Sequence, residues 1–369
     1  MNVLVLHLDG KLPNLALMRI SAHHKVLGDA VTFRRVEHVS RAGPHLGDSF
    51  DQVYASAIFE RSRPICERIR AEWPASHIGG TGWDLTTRLE SLGIDTQAQD
   101  WSMYSTYPHS IGFTQRGCRL TCSFCVVPRK EGKVQATATI GDIWRGEPHP
   151  RNIVLLDNDF FGQPDWRARI REIQDGDFRV SFNQGINARC ITDEAAEAIA
   201  SVKYYDDDFT QRRIYTAWDN RKDEDRLFAG LKRLVKYGVK PAHIMVYILI
   251  GYWPGETHED REYRRRRLRE FGVIPYPMAY RRIPELTNFQ RWVIRAWDKV
   301  MPWEPWLERQ KNSAKSVDLP SLDGFNIDPL SFEPIISPQP DTPQPPQDFG
   351  KLLGWHARRR QDLTDEVKR

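Results

Sequence analysis

The sequence predicts an α/β protein: a doubly wound parallel sheet, then a partial (βα)6 barrel, then a proline-rich tail. Three observations carry that expectation. Short apolar runs alternate with helical patterns from the first residues, the alternation restarts with a different rhythm near residue 106, and beyond residue 313 prolines recur without an apolar period. The expected units are 1–105, 106–312 and 313–369. At 369 residues the chain is long enough for two domains with cores of their own.

In the first unit, "NVLVLHL" (Asn2 to Leu8) reads as a buried strand rather than a leader, because it lacks a basic start and a small-residue cleavage site. "PNLALMRISAHHKVLG" reads as a helix, with Pro13 in its first turn and Gly28 as its stop. "DAVTFRRV", "FDQVYASAIF" and "ASHIGGTG" supply three more strands, and "SRPICERIRAEW" a second helix. This order is Rossmann-like. Gly79, Gly80 and Gly82 are placed where small residues admit a ligand or make a tight turn.

In the second unit the expected strands are "HSIGFT", "NIVLLD", "RVSFN", "RRIYTAW", "HIMVYILIG" and "PYPMAY". Helical patterns such as "TDEAAEAIASV" and "EDRLFAGLKRLVKYG" separate them, the second closed by Gly238. Parallel barrels carry their chemistry at the C-terminal ends of strands. Polar groups follow several of these strands: "DNDF", "NQGINAR", "WDN" and "GYWPGET". "TNFQRWVIRAWDKVMPWEPWLERQ" reads as a terminal amphipathic helix covering the barrel. "SPQPDTPQPPQ" has too little apolar surface to order itself and reads as a tether.

Net charge is +4, mildly basic, which permits nucleic-acid contact without arguing for it. "REYRRRRLREF" reads as a solvated helix face, and Arg264 to Arg267 as the one stretch that fits phosphate. No apolar run approaches the roughly eighteen residues of a membrane span. Five cysteines, odd in number and clustered, do not form a disulfide framework, so a reducing cytoplasm is expected.

Three of those five stand together in "GFTQRGCRLTCSFCVVPRKEGK", as C-x3-C-x2-C. Thiolates are soft ligands for zinc or iron–sulfur clusters. A structural zinc site takes four protein ligands, usually as two pairs, and no second pair exists here. Electron carriers hold a four-iron four-sulfur (4Fe–4S) cluster on four cysteines. Three argue for a cluster with one iron open to a substrate or cofactor.

Cys118, Cys122 and Cys125, with Phe124 before the last cysteine, follow the first strand of the second unit. This pattern resembles the radical S-adenosylmethionine (radical SAM) superfamily over about 106–300. The resemblance implies that the three cysteines ligate three irons and that S-adenosylmethionine chelates the fourth. It also implies reductive cleavage to a 5′-deoxyadenosyl radical that abstracts hydrogen from an unidentified substrate. An external one-electron reductant of flavodoxin or ferredoxin type is the implied partner.

The resemblance also implies that Phe124 lies near adenine and that Asp157 and Asp159 face the methionine ammonium. Gln184, Asn187 and Arg189 would face the ribose or carboxylate. Gly251 and Glu256 in "ILIGYWPGET" resemble the region that packs on adenine. Turns, helix caps and ordinary loop contacts also account for these residues beyond the cysteines.

The first unit is similar to the cobalamin-binding domain that precedes many such cores. Its signature, D-x-H-x-x-G, is incomplete: Asp9 is present, but Lys11 stands where the cobalt-ligating histidine belongs. His23 and His24 read as surface residues of a helix, so cobalamin is doubtful and a domain roofing the barrel is preferred. A cobalamin-dependent methyltransferase is the first alternative, and an iron–sulfur redox-sensing module without SAM cleavage the second. The tRNA methylthiotransferases are disfavoured, since Cys66 stands alone where they carry three more cysteines.

Overall fold

The computed structural model describes residues 1–315; the tether and the C-terminal segment lie beyond them. Its first sheet is built from β1 (Asn2–His7), β2 (Ala30–Arg35), β3 (Gln52–Ser56) and β4 (His77–Gly79). The strands are parallel, in the order β2-β1-β3-β4. β1 is central and flanked on both edges, which is why Val3, Leu4, Val5 and Leu6 form an unbroken apolar run that is fully buried.

Helix α1 (Leu15–Val26) begins two residues later than the sequence implies. Asn14 is its cap and accepts a hydrogen bond from the Leu17 amide at 3.2 Å, so Pro13 precedes the cap rather than filling the first turn. His24 is not a surface residue. Its ring is buried between Asp29 (2.8 Å) and the Tyr54 hydroxyl (3.1 Å). Helix α2 (Arg63–Glu72) turns Ile65, Cys66 and Ile69 onto the same core.

The glycines after β4 serve the chain itself. A Cβ on Gly80 would lie 2.1 Å from the Ala57 carbonyl oxygen, and one on Gly82 would lie 2.3 Å from Phe59 backbone atoms. Their smallness lets this loop cross the loop after β3.

The second unit runs β5 (Ser110–Gly112), β6 (Gln115–Arg116), α3 (Val127–Lys130), β7 (Gln135–Ala136), α4 (Ile140–Ile143) and β8 (Asn152–Leu155). Then follow α5 (Trp166–Asp175), β9 (Arg179–Phe182), α6 (Asp193–Ser201), β10 (Lys203–Tyr204), β11 (Ile214–Ala217) and α7 (Glu224–Lys236). It closes with β12 (Ile244–Ile250), α8 (His258–Phe271), β13 (Ile274–Ala279), α9 (Pro284–Ile294) and α10 (Trp303–Lys315). Two parallel sheets result, β10-β9-β8-β5 and β11-β12-β13. They meet after β9, where the Ile186 amide donates to the Tyr215 carbonyl at 2.8 Å. Residues from α5 to α10 share one apolar core with the outward residues of these strands, among them Ile153, Val180, Ile214 and Val246.

Two further expectations are corrected. The terminal helix is two helices, because Ala296 takes a left-handed φ of 58° and Pro302 opens a new start. The arginine run on α8 is not a solvated face. Arg261 and Arg264 are buried, and Arg265 and Arg269 both bind Asp298, whose carboxylate is fully covered. Arg267 pairs with Glu224 and Glu270. Carboxylates brought from other elements neutralise the run, and little of it is left for a phosphate.

Candidate functional site

β5 ends at Gly112, where a Cβ would come within 2.8 Å of Ile143, so only glycine allows the strand to close on α4. The chain then forms a loop pinned at both ends by the antiparallel pair β6–β7. Gly117, with φ 79°, lies so close to the Lys133 carbonyl oxygen that a Cβ would meet it at 2.2 Å. The Cys118 amide donates to the Gly132 carbonyl at 3.2 Å, and the Cys125 amide to the Cys122 carbonyl at 3.0 Å. Glu131 fastens the middle, accepting from Arg116 (2.6 Å), the Gly117 amide (3.0 Å) and Asn158 (2.8 Å). Hydrogen bonds from the chain alone therefore shape the loop.

Cys118, Cys122 and Cys125 are half-buried and line one cavity of about 420 Å³, within the range of small-molecule sites. Burial raises all three thiols above their ordinary range, and Cys125 is pushed up to about 11, with its two neighbours adding to the effect. As ligands they would release protons on binding metal. Three soft donors facing one cavity fit an iron–sulfur cluster chemically. Among the described residues no three His, Cys, Asp or Glu side chains converge on a single-ion site. Thiolates that bind separate irons of one cluster have no need to.

The same cavity gathers Phe124, Asp159, Gln184, Asn187 and Arg189. Phe124 is 7% exposed and meets Tyr252 edge-on, ring centres 5.6 Å apart. Asp159 pairs with Arg119 at 2.9 Å, while burial raises its carboxyl. Gln184 donates to Asn183 at 3.0 Å. Arg189 donates to Asn187 at 3.2 Å and to Asp223 at 2.6 Å, so its guanidinium is aimed by two acceptors. Phe124 comes from the cysteine loop after β5, and the polar side chains from the ends of β8 and β9, as the polar groups after those strands predict.

Asp157, Gly251 and Glu256 do not line the cavity. Asp157 is buried under the cysteine loop and accepts from the Thr114 amide (2.7 Å), the Gln115 amide (3.2 Å) and the Thr114 hydroxyl. It ties the start of the loop to β8. Desolvation nonetheless pushes its carboxyl up to about 6. Gly251 sits so close to Leu286 that a Cβ would meet its Cδ1 at 2.2 Å, and its amide donates to Glu256. Glu256 is spent on that amide and on Arg264.

Sequence reasoning gave several other lining residues no place in the cavity. Asp219, at the end of β11, is pushed up to about 6 by desolvation against the opposing pull of Arg189 and Arg264. The "WDN" group was its signal. Asn158, Tyr247 and Lys11 also line the cavity. Lys11 arrives with Gly10, Ile58, Phe59 and Thr81, so the first unit forms one wall. Asp9 does not join it: its carboxylate holds the Ile58 amide (2.8 Å), the Phe59 amide (3.0 Å) and Ser62 (2.7 Å).

Neither a family model nor a curated protein matches the chain. A solved structure described as a mutation variant of SsGBP aligns over 86% of this chain and 100% of that chain, at 9% identity with a TM-score of 0.20. A likeness that low carries no argument.

Proposed function

We propose that this protein is a radical SAM enzyme, with its two sheets forming one partial barrel and its catalytic cavity between that barrel and the first unit. One observation carries the reading: three thiols on a pre-shaped loop face the same cavity as polar side chains from the ends of successive parallel strands. A redox-sensing module has no use for that second feature. Cys118, Cys122 and Cys125 would hold a 4Fe–4S cluster. Such a cluster, when bound, supplies the electron that splits S-adenosylmethionine into methionine and a 5′-deoxyadenosyl radical.

The chain's own residues have definable tasks. The loop bonds of Glu131 and Gly117 hold the three thiols on one side of the cavity. Asp159 offers a carboxylate to an ammonium group, at the expense of its pairing with Arg119. Arg189, aimed by Asn187 and Asp223, offers a fork to a carboxylate. Phe124 and Tyr252 give an aromatic edge for a base to pack on. The wall from the first unit excludes water from a reactive radical.

That wall supports a roofing role for the first unit rather than cobalamin binding. Asp9 and the glycines after β4 are occupied in holding its own loops together. The test has two readouts. Anaerobically reconstituted protein is expected to bind about four irons and four sulfides per chain, and with dithionite to release 5′-deoxyadenosine from S-adenosylmethionine. Stoichiometric zinc without visible absorbance sinks the cluster; a cluster that cycles while S-adenosylmethionine stays intact sinks the enzyme and leaves the sensor. A stoichiometric corrin band after purification with hydroxocobalamin makes methyl transfer the leading reaction.

A further inference from the structure

The mouth of the cavity lies where the strand ends of the first unit face the cysteine loop, and exposed cations stand around it. Thr81 lines the cavity, and its loop runs on to Arg88, which donates to the Leu85 carbonyl at 2.6 Å and crosses to the Lys130 carbonyl. Arg129 and Lys133 flank Glu131, another lining residue, and Arg281 follows β13. All four cations are exposed, and among the described residues none of them pairs with a carboxylate. The acids close by are spent or few. Glu131 is held by Arg116, and Asp84 by the Thr86 and Thr87 amides at 2.8 Å each. Glu60, on the cavity wall, sets one carboxylate against them. On α8, by contrast, five arginines have each drawn a carboxylate from another element.

Aromatic rings lie between these cations. Tyr252 meets Phe124, Trp253 and Tyr280 with ring centres 5.6, 4.9 and 4.8 Å apart, and its hydroxyl donates to Ser123 of the cysteine loop at 2.9 Å. Trp253 donates through Nε1 to the carbonyl of Asp219, on the cavity wall, at 2.6 Å. The rings therefore run from the wall outward to Tyr280, the neighbour of Arg281, and Tyr252, Trp253 and Tyr280 are half-buried. The Tyr280 hydroxyl has no hydrogen-bond partner among the described residues, and the charges of Arg281 and Arg129 both bear on it. On the first unit's side, Arg63 lies over Trp83 at 5.1 Å. Unmatched cations suit phosphates, and ring faces among them suit bases. An acidic protein surface would answer the charges and leave the rings without a role.

We propose that the mouth of the cavity binds single-stranded nucleic acid, with Arg88, Arg129, Lys133 and Arg281 on its phosphates and Tyr252, Trp253 and Tyr280 as a platform for its bases. A duplex hides the faces of its bases within the stack, so half-buried rings at a concave mouth reach only unpaired ones. Arginine supplies three of the four cations, and its planar fork matches phosphate. As a statement about substrate, the assignment rests on the radical SAM reading. As a binding surface it needs neither cluster nor S-adenosylmethionine, so metal-free protein tests it alone and the two fail separately.

Fluorescence anisotropy of the metal-free full chain tests it, with labelled oligouridine and oligothymidine of about twelve nucleotides. A duplex of the same length and a polyglutamate of matched charge are the comparisons. At least one single strand is expected to bind more tightly than either of them. Between about 50 and 200 mM salt, log affinity should fall against log salt with a slope of about 3, four contacts at about 0.7 each. Arg129→Gln and Lys133→Gln should each weaken binding several-fold and lower the slope by about 0.7. Both side chains are exposed, so neither change should disturb folding. Tyr280→Leu should weaken binding and leave the slope as it is. Lys240→Gln, exposed just before β12 at the opposite end of that strand, should change neither. No binding of either single strand, a duplex or polyglutamate that binds as tightly, or a slope unmoved in both Arg129→Gln and Lys133→Gln overturns the proposal.

Discussion

Arg264 and Glu256 form an ion pair beneath the surface, their side chains 3% and 6% exposed. Arg264 also donates to the Trp218 carbonyl at 3.2 Å and the Leu249 carbonyl at 2.9 Å, and Glu256 accepts from the Gly251 amide. One pair thus locks α8 to the ends of β11 and β12, beside Asp219 in the cavity wall. Removing one partner strands a charge out of water. Glu256→Ala is expected to destabilise the fold by about 3–5 kcal/mol in urea unfolding. The double change Glu256→Gln with Arg264→Met should cost less than Glu256→Ala, because no buried charge is left unpaired. A double variant weaker than that single one contradicts this account.

Glu131 is placed to decide how well the cysteine loop keeps its shape. Glu131→Ala removes acceptors from Arg116, the Gly117 amide and Asn158 together. The loop carries few apolar contacts of its own, so the effect should be local: the global melting temperature moves little. Iron retained after desalting of the reconstituted protein should fall several-fold. Gly117→Ala acts in the same direction through its left-handed backbone and the crowding at Lys133. Unchanged iron retention in both variants denies the loop bonds this role.

These two cases show what was legible beforehand and what was not. Most strands of the three parallel sheets were readable as apolar runs bounded by turn residues, which burial on both faces demands of the central ones, while the two-residue β10 was not. The three cysteines were readable because few other arrangements need clustered thiols. Partners drawn from afar were not readable. Asp157 and Asp159 sit in one "DND" group, yet Asp157 is claimed by amides 42 and 43 residues away while Asp159 reaches the cavity. The polar face of α8 looked solvated because periodicity cannot see Glu256 or Asp298 arriving from other loops. Asp207 was hidden for a like reason: nothing in three consecutive acids foretells that Phe209 draws their turn inward.

Cysteine reactivity should separate the two kinds of thiol. Cys66 is fully buried on α2, and its thiol is pushed up to about 12. Cys118, Cys122 and Cys125 are half-buried around a cavity. In metal-free protein under native conditions, iodoacetamide should modify the three loop thiols slowly at pH 7 and faster as pH rises toward 9, since the thiolate is the nucleophile. Cys66 should stay unmodified until the protein is unfolded in guanidinium. Peptide mass spectrometry reads each site separately. Early modification of Cys66 contradicts its place in the first core.

Asp207 makes the last prediction, and here the sign follows from burial. Its carboxyl is pushed up to about 7, first by desolvation and then by Asp208, from an ordinary value of 3.8. Between those two values the folded chain holds a proton that the unfolded chain has released. The contribution of Asp207 to stability is therefore fully present below about pH 4 and lost as pH rises through 7. His7, pushed down to about 4 by burial, works in the opposite direction over part of the range. A difference measurement cancels it. The stability of Asp207→Asn minus that of the wild type, from urea unfolding of metal-free protein, should rise from pH 4 to pH 7. It should level off near pH 8 after a gain on the order of 4 kcal/mol. A difference that is flat between pH 4 and pH 8 means that Asp207 meets a donor in the folded chain.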